Sequence, residues 1–334
     1  MDRFEQLPES EKLDRYARLA RKALSAYGLE EARLSCLGGP TDTTFEVTTG
    51  DPSRHYALRI CSSDRSPDGL EREILWLTAL RRDTDLTVPE PILTRDGELV
   101  RKVSIAGVPG FRPCILLRWV DGESLDSELT ANHLRSVGGL LAVLHAHAET
   151  FRWPEEITPP RRNATLMSEV LNEELLRTRY SEEEVGLFRE AIDRIAVTMA
   201  SLRDGPDIAG VIHGELHRRN VLFHEDEACT IGFETCRWGY YAYDLAVVRG
   251  WLERRDSTSE LIDALFDGYR AFRELPDDVE RCVPLFSALR SIDRIQSLLS
   301  RPDGARRFAA ELAAQHGGLQ RIAETWRTPF APSF

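Results

Sequence analysis

Nowhere in the 334 residues is there a run of the roughly 20 apolar residues that a membrane span needs. The N-terminus, Met1-Asp2-Arg3-Phe4-Glu5, is charged where a secretory signal carries an apolar core, so a cytoplasmic protein is expected. None of the six cysteines (36, 61, 114, 229, 236 and 282) forms a C-x-x-C pair, which argues against a cysteine zinc site and a disulfide framework. Cys61 and Cys114 sit in apolar runs and read as small buried hydrophobes. Positive charge is not in excess either. A net charge of −12 argues against nucleic acid and anionic membrane as partners. It suits a cationic small molecule, and solubility alone explains it equally well. There is no internal repeat and no low-complexity tract. With 42% apolar and 29% charged residues, the composition is that of an ordinary globular protein long enough for two lobes.

Residues 10 to 27 place Leu13, Tyr16, Leu19, Ala20, Ala23, Leu24 and Tyr27 at helical spacing, and Gly28 stops that helix. Strand patterns follow at Arg33–Leu37, Thr44–Thr48 and Tyr56–Cys61, punctuated by Gly38-Gly39-Pro40 and Gly50-Asp51-Pro52, as in an antiparallel meander. A helix over 68 to 82 carries Leu70, Ile74, Leu77 and Leu80 on one face, and Val88-Pro89-Glu90-Pro91 breaks it. Leu99–Ile105 and Pro113–Trp119 read as two more strands. Beyond the turn Val120-Asp121-Gly122-Glu123 the pattern is mostly helical, over Leu134–Ala148, Glu169–Arg177, Glu182–Leu202, Leu245–Glu253, Ser257–Phe272, Cys282–Ser300 and Ala305–Thr325. The shift predicts an α+β protein of two domains, a sheet-rich one over 1–119 and a helical one over 120–334. Pro159-Pro160-Arg161-Arg162 reads as a loop.

The most informative stretch is Val211-Ile212-His213-Gly214-Glu215-Leu216-His217-Arg218-Arg219-Asn220-Val221-Leu222-Phe223. A short apolar strand enters a polar turn, the turn ends on Asn, and a second apolar strand leaves it. In eukaryotic-type kinases an Asp stands two residues after the His of such a loop, and an Asn five residues after that Asp. His213, position 215 and Asn220 keep the spacing, but position 215 is Glu. Where a second acid is due, the chain reads Ile231-Gly232-Phe233-Glu234.

Smaller segments carry two readings each. Gly38 and Gly39 join two strands; glycines let backbone N–H groups approach a phosphate, yet most such turns are plain hairpins, and Asp42 suits a triphosphate poorly. Arg59, on an alternating strand, is either a solvated residue or a phosphate ligand paired with Glu73 on the next helix. Arg118, Trp119 and Val120 are either a linker with a packed Trp or the backbone that reads a purine edge. His145 and His147 fall on different helix faces, so His145 reads as a packing histidine rather than a metal ligand. Asp244 near a helix start either caps that helix or braces the loop at 213 to 220.

The segments His213-Gly214-Glu215-Leu216-His217-Arg218-Arg219-Asn220, Ile231-Gly232-Phe233-Glu234 and Tyr243-Asp244-Leu245-Ala246 resemble, in this order, the motifs of the aminoglycoside phosphotransferase, choline kinase and homoserine kinase superfamily. The resemblance spans about residues 30 to 300 and implies a bilobal protein-kinase-like fold, with a small antiparallel-sheet lobe and a larger helical lobe. It implies ATP with Mg²⁺ and a small-molecule acceptor held by the helical lobe. Position 215, beside His213, would receive the acceptor's hydroxyl proton. Asn220 would hold one Mg²⁺, and position 232 would supply the carboxylate that bridges metal to nucleotide. Arg59 would stand at the phosphate-binding Lys position with Glu73 as its partner. Trp238, Tyr240, Tyr241 and Asp293 are candidates for the acceptor pocket.

Two departures decide the functional expectation. Glu215 extends the acid by one methylene, on the order of 1 Å, and displacement of that size costs roughly 10²-fold in rate. Gly232 removes a metal carboxylate from a reaction that runs on positioning and charge neutralisation. Glu234, two residues on and facing the same side of an extended segment, is the candidate replacement ligand beside Asn220. The pair of changes favours a pseudokinase or strongly impaired kinase that binds a nucleotide, with or without metal, or a small metabolite. The alternative is an active ATP-dependent O-phosphotransferase on a small-molecule hydroxyl of amino-alcohol, aminoglycoside or homoserine type.

Overall fold

The computed structural model describes residues 4, 7–38, 42–51, 54–63, 65–125, 128–157, 171–202, 205–252, 258–301 and 304–325. The chain divides into two compact units. The first comprises Met1–Glu123, Pro154–Ile157 and Cys229–Glu234; the second comprises Ser124–Trp153, Thr158–Ala228 and Thr235–Phe334.

In the first unit, α1 (Glu9–Leu24) has Glu9 and Glu11 in its first turn and Arg21 and Lys22 in its last, both favourable to the helix dipole. It buries Leu19, Ala20, Ala23 and Leu24. Then come β1 (Arg33–Gly38), β2 (Thr43–Thr48), β3 (His55–Ile60), α2 (Pro67–Asp83), β4 (Pro91–Ile92), β5 (Arg101–Val103) and β6 (Arg112–Arg118). The strands form one antiparallel sheet in the order β1-β2-β3-β6-β4, with β5 also on β6. Side chains alternate across a strand. Phe45, Val47, Leu58, Ile60, Cys114 and Leu116 therefore meet α1 in one core. The same alternation turns Arg59 away from the core face carrying Leu58 and Ile60. Ser66 caps α2 by accepting from the Gly69 N–H, and α2 buries Leu70, Glu73, Trp76, Leu77 and Leu80.

Two strands differ from expectation. β5 is confined to Arg101–Val103, the residues in register with β6. β4 is a strand where the proline-rich stretch reads only as a breaker, because Pro91 opens a two-residue segment pairing with Leu117 and Leu116 of β6.

The second unit contains α3 (Ala131–Thr150), α4 (Glu173–Arg177), α5 (Glu182–Ser201) and β7 (Ala209–Ile212). A hairpin of β8 (Val221–His224) and β9 (Glu227–Thr230) follows, and the end of β9 belongs to the first unit. Then come β10 (Arg237–Tyr240), α6 (Tyr241–Leu252), α7 (Thr258–Arg270), α8 (Asp277–Leu299), α9 (Gly304–Arg307) and α10 (Ala309–Thr325). β10 pairs antiparallel with β7.

α3 begins three residues earlier than its apolar pattern because Thr130 caps it. The Thr130 hydroxyl accepts from the His133 N–H, and His133 Nδ1 accepts from the Thr130 N–H. α8 begins at Asp277 and runs through Pro284, where proline costs about 3 kcal/mol. Burial of Val279, Cys282, Val283, Phe286 and Ile292 offsets that cost. α3 and α7 meet backbone to backbone: a Cβ on Gly138 would lie 2.1 Å from the Leu265 carbonyl oxygen, and one on Gly268 2.0 Å from that of Arg135. The Pro159–Arg162 loop and the expected helical residues before 171 lie outside the described residues. No described helix is long and apolar enough to cross a membrane.

Candidate active site

In the second unit, β7 delivers the chain into the loop at 213 to 220, and a buried carboxylate holds the loop's first turn. Asp244, in the first turn of α6, accepts from the His213 N–H at 2.8 Å and from the Gly214 N–H at 2.7 Å. His145 Nε2 lies 3.3 Å from the same carboxylate, and Nδ1 lies 2.9 Å from the Tyr269 hydroxyl oxygen. The His145 ring stacks on Tyr241 at 4.3 Å. Burial opposes the charged form of Asp244. The hydrogen bond and charge of His145, with His213 and the Gly214 N–H, overcome that opposition and hold the carboxyl below its ordinary range. Burial pushes the His145 imidazole down against the pull of Asp244. His145 is thus a packing and bracing residue, and Asp244 braces the loop.

Gly214 adopts φ 83°, and a Cβ there would lie 3.0 Å from the Thr235 carbonyl oxygen, so this turn excludes side chains. Glu215 follows, half-buried. Its N–H donates to His213 Nδ1 at 3.3 Å, and its carboxylate accepts from Arg290 Nη2 at 2.5 Å. Asn220 Nδ2 donates to the Glu215 carbonyl at 2.9 Å, and the Asn220 N–H donates to the His217 carbonyl at 2.8 Å. Around this loop the Arg237 guanidinium stacks on Tyr243 at 4.8 Å, and the Tyr243 hydroxyl lies 3.5 Å from Asp293. Burial pushes that hydroxyl up to about 12, against the charge of Arg237. Tyr240 packs near Phe286 at 5.6 Å and Trp238 at 6.1 Å. Tyr241 is fully buried and donates to the Pro206 carbonyl at 3.1 Å, which makes it core rather than pocket lining.

The first unit holds the residues assigned to the nucleotide side. Arg59 Nη2 donates to both Glu73 oxygens at 2.6 Å, and Nη1 donates to Glu234 Oε2 at 3.2 Å. Burial works against the Arg59 charge; Glu73 foremost, with Cys61 and Glu234, outweighs it and holds the guanidinium above its ordinary range. Arg65 also donates to Glu73, to Asp42 at 2.9 Å and to the Glu234 carbonyl at 3.2 Å. Asp42 further accepts from the Ser62 N–H at 2.9 Å, so its charge is turned inward and neutralised.

Gly38 has φ 80° at a register shift in β1, and Gly39 lies outside the described residues. The Arg118 N–H donates to the Glu90 carbonyl at 2.8 Å and the Trp119 N–H to that of His55 at 3.0 Å. Both donors are therefore committed within the unit. The Trp119 ring stacks on His55 at 4.3 Å, and Val120 is buried.

Gly232 has φ 82° and brings no carboxylate, while the Glu234 carboxylate is engaged by Arg59. Among the described residues no group of three or more His, Cys, Asp or Glu is placed to hold a metal ion. The donor set therefore does not fit a carboxylate-bound divalent cation. Sequence reasoning missed Arg65 and Arg290. The basic character of each is visible, but the acid that each meets is set by the fold.

The profile of the family described as the phosphotransferase enzyme family matches residues 35–282. A homoserine kinase from Agrobacterium fabrum is 32% identical over 231 residues, covering 66% of this chain and 67% of that protein. One from Allorhizobium ampelinum is 31% identical over 232 residues, with the same coverage. Among solved structures, a microcompartment-associated aminopropanol kinase superposes with a TM-score of 0.78 at 26% identity, over 92% of this chain and 98% of that one. An amicoumacin kinase determined with AMP-PNP and Ca²⁺ shares the fold, with a TM-score of 0.74 at 19% identity over 98% of this chain and 96% of that one.

Proposed function

Because the chain belongs to the phosphotransferase enzyme family, within the protein-kinase-like superfamily, we propose that it transfers a phosphoryl group from ATP to the hydroxyl of a small molecule. The observation that carries this reading is the loop braced by Asp244, which holds the backbone N–H groups of His213 and Gly214 immediately before Glu215. The relatives named homoserine kinase and aminopropanol kinase support a small hydroxylated acceptor. A relative determined with AMP-PNP supports ATP as the donor.

The acceptor hydroxyl sits within about 2.6–3.2 Å of the Glu215 carboxylate, which takes its proton as the oxygen bonds to the γ-phosphorus. The bond from that phosphorus to the β–γ bridging oxygen breaks, and ADP leaves. Asp244 stays ionised and keeps the His213 and Gly214 N–H groups fixed, so the base does not wander during the transfer. Arg59, anchored by Glu73, is the fixed guanidinium for the phosphate chain. Proton transfer, loop positioning and the fixed positive charge come from the chain's own side chains.

One observation favours a second reading, binding without transfer: Gly232 offers no metal ligand where the resemblance implies a carboxylate. ADP release measured with L-homoserine and 1-amino-2-propanol, with and without Mg²⁺, separates the two. Transfer predicts acceptor-dependent ADP release that falls roughly 10²- to 10⁴-fold in Glu215→Gln. An ATP-induced rise in Tm with no acceptor-dependent ADP supports the second reading.

A further inference from the structure

The cluster around Arg59 in the first unit sets three carboxylates, Asp42, Glu73 and Glu234, against two guanidiniums, Arg59 and Arg65. The three acids are not equivalent. The side chains of Glu73 and Asp42 are 1% and 9% exposed. Glu73 accepts from Arg59 at 2.6 Å through both oxygens and from Arg65 as well, and Asp42 accepts from Arg65 at 2.9 Å. The Glu234 side chain is 38% exposed, and among the described residues its carboxylate accepts only from Arg59 Nη1, at 3.2 Å. So exposed an ion pair contributes little, because water and salt compete for both partners. The backbone beneath it is fixed: Phe233 is buried edge-on against Trp76 of α2 at 5.5 Å, and Arg65 donates to the Glu234 carbonyl at 3.2 Å. The carboxylate therefore leaves Arg59 by rotation of its own side chain. Arg59 is not saturated either. Of its five N–H donors, Glu73 takes Nη2, Glu234 takes Nη1, and Nε is buried without a hydrogen bond, 3.5 Å from Asp42. A phosphate has three acceptor oxygens and more charge than a carboxylate, and suits this fork better than Glu234 does.

We propose that Glu234 is an internal competitor for the nucleotide: its carboxylate occupies Arg59 Nη1, and a nucleotide phosphate binds there by displacing it. This rests on the reading of Arg59 as the guanidinium for the phosphate chain. Gly232 brings no carboxylate, and Glu234 is turned to a cation of the chain itself, so Glu234 acts on the guanidinium and not as a metal ligand. With Glu234 turned to water, Asp42 and Glu73 balance Arg59 and Arg65 two against two. The excess negative charge that repels a phosphate has then left the cluster.

Calorimetric titration of the full chain with ADP and with adenosine, in EDTA and in Mg²⁺, tests this in wild type, Glu234→Gln and Glu234→Asp. Glu234→Gln is expected to bind ADP about 3- to 10-fold tighter than wild type in both buffers, since a partly exposed ion pair no longer has to break and a like charge is gone. Adenosine, which has no phosphate, binds both proteins alike. Glu234→Asp keeps the charge but draws it back by one methylene, so its gain is smaller. A merely structural Glu234 gives lower stability and no gain in affinity. The proposal is overturned if Glu234→Gln binds ADP no tighter than wild type, if adenosine shares the gain, if Mg²⁺ abolishes or reverses it, or if neither protein binds ADP. Should Glu234→Gln not fold, the direction of the change in Glu234→Asp decides. ADP binding that is indifferent to Glu234 sinks this proposal and leaves phosphotransfer standing. The expected gain without acceptor-dependent ADP release sinks phosphotransfer alone.

Discussion

Replacing Asp244 by Asn tests the brace on the loop without creating a cavity. The Asp244 carboxylate is fully buried and accepts from two backbone N–H groups, at 2.8 and 2.7 Å, with His145 at 3.3 Å. An amide of the same shape presents one oxygen, and its NH₂ must face a donor. One orphaned buried N–H costs about 1–3 kcal/mol, and turning the other bond from charged to neutral costs about 1 more. The expected loss is therefore about 2–4 kcal/mol, which at roughly 2–4 °C per kcal/mol lowers Tm by about 5–15 °C. Scanning calorimetry at neutral pH reads this directly.

The pH dependence supplies a second reading of the same bond. Asp244 has a depressed folded-state pKa, so its contribution is complete above the unfolded value near ~3.9 and is lost as pH falls through the folded value below that. The gap between wild type and Asp244→Asn should then narrow on acidification below about pH 4. His145, also depressed, removes stability in both proteins as pH falls below its unfolded value near ~6.5, and it does so further in Asp244→Asn, where the carboxylate that pulls the imidazole up is gone, an effect that opposes the narrowing. A Tm loss under about 2 °C at neutral pH would refute the assignment of Asp244 as the loop's anchor.

Two glycines separate helix propensity from packing. Gly186→Ala, in α5 where a Cβ meets nothing within 4 Å, should stabilise by about 1 kcal/mol in chemical denaturation. Gly138→Ala should destabilise by about 1–3 kcal/mol despite the same propensity gain, because its Cβ would lie 2.1 Å from a backbone oxygen of α7. Gly232→Asp places a carboxylate at a residue with φ 82°, at a backbone cost of about 1–2 kcal/mol. Thermal shift should show lower stability without ligand and an enlarged Mg²⁺-dependent stabilisation by ATP; no change in the Mg²⁺ dependence would mean that position 232 does not face the phosphates.

Much of the fold was legible because it repeats. Alternation at Phe45 and Val47 and at Leu58 and Ile60 marks the core face of the sheet, and helical spacing marks α1 and α2. The loop at 213 to 220 was legible because its chemistry is packed into eight consecutive residues. The start of α3 was hidden, since a His in its capping box carries no apolar signal. α8 runs through a proline that local reasoning treats as a stop. β4 exists only because β6 lies beside it.

The site divides the same way. That the loop ends in Asn220, that its acid is Glu215 and that position 232 carries no side chain are facts of identity and spacing, readable along the chain. That Glu215 faces Arg290 and that Arg65 joins Arg59 on Glu73 comes from the folded arrangement alone. Charges pair across any sequence separation and leave no period to read, so their partners are settled only when the core has placed them a few ångströms apart.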